Sequence, residues 1–358
     1  MIKSICGLRF IFAVLICAGH YIFTTPYAGE MLNKALFFDT TAAVTFFFIL
    51  SGFSLSYGFS EKMKEGSFKP LPFLKKRFFK LYPMHLVALI VVLILFGKNY
   101  VWNGETVRNL ILNVFLLHSY VPDINCYFAF NRVSWYLSTL FSLYVFFAFL
   151  FKPIFASRRP MWILAIASAA MTVALVLFAH FQKSYDDFVF GIFPPSRLLH
   201  FFIGAWLCLF YKRLKSFDFK AWQLTIVEIA SIAVLLLSWA IRKQVPIKYQ
   251  NMFLYVPACS LIILIFSLGD CKGIFSRIAG SKPLMSLGSV SYPFYMIHLF
   301  FQNIATYTVP ASFSYEKPFL FFAFYLFFTV CTSYVLDFLL VKKFAAFMLS
   351  RKVQNEQQ

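Results

Sequence analysis

Residues 7–21 read GLRFIFAVLICAGHY, an apolar run that carries the guanidinium of Arg9 and the imidazole of His20. A charged and a titratable side chain inside an apolar span are costly to insert, so both are functional candidates by default. Eleven residues separate them. That is about three helical turns, so both project from one face, roughly 16 Å apart along the axis. A cation where the helix starts and an imidazole near mid-membrane point to a buried reaction path rather than a lipid-facing anchor.

The rest of the chain fits the span that this run begins. Of 358 residues, 61% are hydrophobic and 13% charged, and the mean hydropathy is +0.74. Soluble domains average about 45–50% apolar and about 25% charged residues. The chain therefore reads as an all-α polytopic integral membrane protein, and its 50 phenylalanines suit a lipid-exposed bundle. Hydropathy over a window of about 19 residues predicts ten spans. They lie near 9–25, 41–60, 81–97, 134–151, 160–180, 196–211, 222–241, 250–268, 286–308 and 318–341. Residues 106–118 are apolar but short of the ~20 that a span needs, so they read as an interfacial or re-entrant helix. No long soluble segment separates the runs, which leaves one domain over 1–358 with a short tail from about 342.

Basic residues orient the spans. With the N-terminus inside, 23 of the 33 Lys and Arg fall in segments on the cytoplasmic side, which predicts both termini in the cytoplasm of a bacterial inner membrane. The same asymmetry accounts for most of the net charge of +19 and argues against nucleic acid as a partner. The start also resembles a secretory signal, with Lys3, an apolar core and Thr-Pro-Tyr-Ala before Gly29. We read it as an uncut helix, because its core is long and the even span count requires it. The seven cysteines show no CxxC, and only Cys126 falls in a predicted outer loop, so no disulfide framework is expected. The six histidines show no metal-ligand spacing such as HxxxH, so no metal is expected.

Several further segments carry chemistry. The second span holds FFFILSGFSLSYGF at 46–59. Its Ser51-Gly52 pair is either a close helix-packing point or a hydroxyl beside a ligand tunnel. The densest basic run follows: Lys62, Lys64, Lys69, Lys75, Lys76, Arg77 and Lys80, ending in KLYPMH, with Pro83 read as a first-turn proline. The run either sets topology and meets anionic headgroups or docks a phosphorylated molecule. Arg77 and Lys80, three apart on one helical face with Lys76 beside them, are best placed for phosphate. The fourth span opens with SWYLS, where Trp135 and Tyr136 are either interfacial aromatics or substrate contacts. The sixth opens with PPSRLLH, placing Arg197 and His200 three apart near the outer surface. The ninth carries LGSVSYPFYMIH at 287–298. There Ser291, Tyr295 and His298 share one face, and His298 lies at a depth comparable to His20. Two deep histidines on different spans indicate a shared polar cavity. Glu228 and Asp337 lie in or at the ends of spans and are assigned no role.

Taken in order, these segments resemble the acyltransferase 3 family of membrane O-acyltransferases. The matching stretches are Gly7-Leu8-Arg9 through His20, Phe46-Phe47 through Ser51-Gly52-Phe53, Arg77 through Tyr82-Pro83, Trp135 through Ser138, Arg197 through Gly204, and Ser291-Tyr292 through His298. The resemblance implies a ten-helix bundle and an acyl-CoA donor, usually acetyl-CoA, used from the cytoplasm. It also implies an acceptor hydroxyl on a cell-envelope glycan or lipid-linked sugar. The family's first-span pair carries over to Arg9 and His20, and its basic motif to Arg77, with Lys80 where a second Arg is common. Three acids common in the family are replaced here, by Thr45, Leu140 and His200. A hydroxyl, His298 or His200 must then orient the catalytic imidazole. The chain ends soon after the last span, so no appended extracytoplasmic domain is expected.

On this reading His20 is the general base, since an imidazole with an ordinary pKa of ~6.5 is well poised at neutral pH. Tyr295 or Ser51 is expected to stabilise the oxyanion. Arg77, Lys80, Lys76 and Arg9 are expected to hold the donor's phosphates, and Trp135, Tyr136, Arg197, His200 and Ser291 to line the acceptor site. A transporter or flippase for a lipid-linked sugar or organic anion, or a noncatalytic partner in glycan assembly, is the alternative.

Overall fold

A computed structural model describes residues 2–24, 40–182, 185–308 and 317–344. Among them there is no strand. Nine helices are long and apolar enough to cross a membrane, or ten if one broken pair counts as a single span. The protein is a multi-pass membrane protein.

The first span is α1, Lys3–Thr24, and the second is α2, Thr40–Lys64. The third, α3, runs from Pro70 to Phe96 and so starts eleven residues before its predicted boundary. Pro70 opens that helix, and Pro83 lies inside it, which corrects the reading of Pro83 as the first-turn proline. The apolar stem between charges misled the window: Lys75, Lys76, Arg77 and Lys80 are helical, not loop, residues. Residues 106–118 fall largely within a short helix, α4, Gly104–Val114, which Asn103 caps through its side chain. Helices α5 (Ser134–Ala156), α6 (Pro160–Phe181), α7 (Pro194–Leu214) and α8 (Ala221–Ile241) match their predicted spans to within a few residues. The eighth span is a π turn at Gln250–Leu254 followed by α9, Val256–Gly269. The ninth is broken at Val290 into α10, Lys282–Ser289, and α11, Ser291–Thr308. Pro293 explains the break. It has no N–H for the carbonyl four residues back and its ring clashes with that carbonyl. The tenth is α12, Pro318–Leu336. The predicted 26–40 loop, apart from its last position, and the tail beyond Phe344 lie outside the described residues.

The described residues form two compact units. One comprises Met1–Phe12, Asp39–Pro70 and Ser142–Gly288; the other comprises Ala13–Phe38, Leu71–Phe141 and Ser289–Gln358.

In the first unit, α2 and α7 cross at two glycines. A Cβ on Gly52 would come within 2.5 Å of the Phe201 carbonyl oxygen, and one on Gly204 within 2.1 Å of that of Ile49. Only glycine fits there, so Gly52 is a packing residue. One end of this unit is tied by ion pairs and caps. The Lys3 N–H donates to Asp270 (2.8 Å), Lys212 pairs with Glu61 (2.6 Å), and Lys272 pairs with Asp218 (3.1 Å). Glu228, fully buried in α8, accepts the N–H groups of Phe275 (2.9 Å) and Ser276 (3.2 Å). Those are donors that the start of a helix leaves unsatisfied.

Gly204→Ala should therefore destabilise the detergent-solubilised protein by about 3 kcal/mol, the upper part of the overpacking range. Thermal unfolding followed by light scattering measures it, and an unchanged midpoint would contradict the close crossing.

Candidate active site

The second unit gathers the polar groups. His298, fully buried on α11, places its Nε2 2.9 Å from Nδ1 of His20 on α1. Its own Nδ1 lies 2.6 Å from the Tyr295 carbonyl. A carbonyl oxygen only accepts, so His298 Nδ1 carries the hydrogen. In a neutral ring its Nε2 then accepts, and His20 Nδ1 donates to it. With both rings neutral, His20 Nε2 is left as a lone pair. His20 is half-buried. The pair is held from three more directions. Gln302 donates to the His20 carbonyl (2.9 Å), and the Tyr325 hydroxyl donates to the His298 carbonyl (2.8 Å). The Tyr21 ring packs on Phe322 and Tyr325 of α12. The polar cavity read from two deep histidines is thus a direct hydrogen bond. Within α1, however, His20 lies only four residues before the helix end at Thr24, not at its middle.

A segment just before α5 is stapled to the same stretch of α11. The Asn131 side chain donates to the Met296 carbonyl (3.1 Å), and the Tyr295 hydroxyl donates to the Val133 carbonyl (2.8 Å). Tyr136 packs edge-on against Tyr295, with centroids 5.4 Å apart. Phe130, next in line, has φ of +58°. For a bulky side chain this conformation costs of order 1–3 kcal/mol and persists only where surrounding contacts enforce it. Trp135 and Tyr136 are both half-buried at the start of α5, and Ser291 is buried at the start of α11.

Two expectations fail on hydrogen counting. The Tyr295 hydroxyl gives its one hydrogen to Val133, and the Ser51 hydroxyl gives its own to the Phe47 carbonyl one turn back (2.7 Å). Neither has a hydrogen left for an oxyanion. Arg197 and His200 are likewise occupied, in the first unit. Arg197 is 2% exposed and donates to the carbonyls of Gly191 (2.6 Å) and Asn251 (2.7 Å). His200 meets the Met252 carbonyl (3.1 Å). The π turn at Gln250–Leu254 displaces carbonyls from the regular helical ladder, and these two side chains satisfy them. They hold the fold rather than line an acceptor site. Arg9 is half-buried on α1, while Lys76, Arg77 and Lys80 project from the first turns of α3 with Arg77 over the Phe73 ring (5.3 Å).

Sequence reading missed a second network. The Tyr82 hydroxyl donates to the Val114 carbonyl (3.0 Å), and His85 Nε2 donates to that of Asn113 (2.9 Å). The Asn113 amide donates to the Asn109 carbonyl, and its oxygen accepts from Ser134. His118 meets the same Ser134 hydroxyl at 3.2 Å. Tyr82 lies near the middle of α3. The end of α4 is therefore anchored against α3. Its cue was KLYPMH, whose Tyr82 and His85 face one way at i, i+3. Cys126, beside this segment, is a free buried thiol whose pKa is raised by burial.

A multi-pass membrane protein with a hydrogen-bonded, orientated imidazole pair among its helices has the means to take a proton from a substrate inside the membrane. The comparisons make that class specific. The family model of the acyltransferase 3 domain, described as an acyltransferase domain, matches residues 2–338. The chain belongs to the acyltransferase 3 family and is an acyltransferase, which sets aside the transporter and the noncatalytic partner. It is 26% identical over 314 residues to Acyltransferase MdmB of Streptomyces mycarofaciens, covering 83% of this chain and 78% of that one. Over 50 residues it is 46% identical to Protein 2 in picA locus of Rhizobium radiobacter, covering 14% of this chain and 26% of that one. No solved structure matches it.

Asn113→Leu should leave the Ser134 hydroxyl and the Asn109 carbonyl short of a partner, at about 1–3 kcal/mol for an unsatisfied buried group. A lowered thermal midpoint of the purified protein is expected. A midpoint equal to wild type would show that Asn113 does not hold α4 in place.

Proposed function

We propose that this acyltransferase moves an acyl group, acetyl in the first instance, from acyl-CoA to a hydroxyl of a cell-envelope glycan or lipid-linked sugar, with His20 as general base. The observation that carries the reading is the chain from the Tyr295 carbonyl through His298 to His20. It leaves the His20 Nε2 lone pair as the proton acceptor. The protein sits in the bacterial cytoplasmic membrane with both termini inside, as the excess of basic residues on one side supports. We assign the donor's phosphates to Arg77, Lys80 and Lys76 on the first turns of α3, since guanidinium and ammonium groups suit phosphate. Trp135, Tyr136 and Ser291 flank the acceptor.

The reaction balances without a net proton. His20 Nε2 takes the proton of the acceptor hydroxyl as its oxygen attacks the thioester carbonyl carbon. The tetrahedral oxyanion then collapses, the C–S bond breaks, and His20 returns the proton to the CoA thiolate. His298 is a positioning residue. It holds His20 in the tautomer whose lone pair faces the substrate, as a buried partner does for the imidazole of a catalytic triad.

The test is mass spectrometry of surface glycans from cells carrying wild type, a deletion, His20→Ala or His298→Leu. Loss of one acyl mass per repeat in the deletion and in His20→Ala is expected. Residual acylation reduced about 10²–10⁴-fold is expected in His298→Leu, the scale of general-base catalysis. Full acylation by His20→Ala, with the protein in the membrane, would sink the mechanism. Unchanged glycans in the deletion would sink the acceptor class.

A further inference from the structure

The chemistry above needs a group to meet the charge on the thioester oxygen, and the two hydroxyls expected to do so have donated their hydrogens elsewhere. Another donor stands at Arg132, which no motif singles out. Its two neighbours are fixed. The Asn131 side chain is bonded to the Met296 carbonyl and the Val133 carbonyl to the Tyr295 hydroxyl, so the backbone of Arg132 is pinned to α11 less than one turn before His298. The strained φ of Phe130 sets the direction in which this short stretch leaves the chain before it. The Arg132 side chain itself is exposed, with its guanidinium over the Phe128 ring at 5.2 Å. The stretch that carries it lies against α11 less than one turn from His298, the hydrogen-bond partner of His20.

A fixed cation near a base that must become cationic opposes the proton transfer, unless an anion forms alongside it. Acyl transfer supplies that anion, because the thioester oxygen becomes negative in the same step that charges the imidazole. A guanidinium offers several N–H donors in a rigid fork, which suits an oxyanion better than a single hydroxyl. Among the described residues, no carboxylate forms an ion pair with Arg132.

We propose that Arg132 is a catalytic residue of this enzyme, donating to the oxygen of the reacting thioester carbonyl as it becomes an oxyanion. This rests on the acyl-transfer reading with His20 as base. While the C–O bond forms and the hydroxyl proton moves to His20, the carbonyl's electron pair moves onto the oxygen facing Arg132. It returns as the C–S bond breaks.

The experiment uses membranes of the native host carrying the full chain, with radiolabelled acetyl-CoA as donor and the acceptor already in those membranes. Arg132→Ala should lower the rate at saturating acetyl-CoA by about 100-fold or more, the scale of one lost oxyanion donor. The KM for acetyl-CoA should stay within about threefold of wild type, since the interaction belongs to the transition state. Guanidinium or ethylguanidinium in the medium should restore about tenfold of the loss in Arg132→Ala and nothing in His20→Ala. Arg132→Lys should fall between wild type and Arg132→Ala. A rate for Arg132→Ala near wild type, a change confined to KM, or a loss that guanidinium does not relieve would overturn the proposal. A fully active His20→Ala would instead overturn the reading beneath it.

Discussion

In hydrocarbon there is no water to take up a polar group, so each one must find its partner within the protein. This chain meets that constraint with few acids: 14 Asp and Glu stand against 33 Lys and Arg. The partners it uses instead are main-chain carbonyls. Arg197, His200, His85, His298, Tyr295, Tyr325, Gln302 and Asn131 all bond to a carbonyl oxygen. A regular helix has already committed its carbonyls to its own ladder. The useful ones lie at ends, breaks and bulges, or accept a second hydrogen on their remaining lone pair. The π turn at Gln250–Leu254 and the end of α4 supply several such carbonyls, so these irregularities of the fold and the buried polar side chains beside them go together.

How much of this was legible in the sequence follows from the range of each signal. Hydropathy is summed over a window, so it found the spans and their order. It failed where charges sit on an extended helix, as at α3, because Lys and Arg at the membrane edge lower the sum without ending the helix. The weight placed on His20 and His298 came from the cost of burying imidazoles, a local property that needs no partner to be known. That they touch is a tertiary fact that spacing along one helix does not contain. The oxyanion assignments to Tyr295 and Ser51 went wrong for the same reason. A hydroxyl's type is visible in sequence, but the destination of its single hydrogen is not. Arg132 carries no periodic signal at all, since it stands in a short connection and takes its place from the bonds of its two neighbours.

That a carbonyl and not a carboxylate stands behind the histidine pair has a chemical consequence. A carboxylate behind an imidazole does two things: it fixes the tautomer and it stabilises the imidazolium that forms. The Tyr295 carbonyl does the first through a 2.6 Å hydrogen bond to His298 Nδ1. It does much less of the second, because it contributes a partial charge where a carboxylate contributes a full one. A carbonyl behind the proposed general base therefore fixes its geometry while giving it less electrostatic support than a carboxylate would.

In the reaction proposed above, that deficit shifts the electrostatic work to the other side. The transition state pairs a developing imidazolium with a developing oxyanion, and a site can stabilise either member. Stabilising the oxyanion favours the same charge separation, provided the cation used is held in place before the reaction begins. Preorganisation starts at the stapled segment Asn131–Val133, where two hydrogen bonds and a strained residue fix the backbone of Arg132, and it extends to the guanidinium through the Phe128 ring beneath it. A cation free to move would instead follow whichever anion passed and would lose to water much of what it contributed. On this argument the strained Phe130 and the bonds to α11 belong to the catalytic design as much as the imidazoles do.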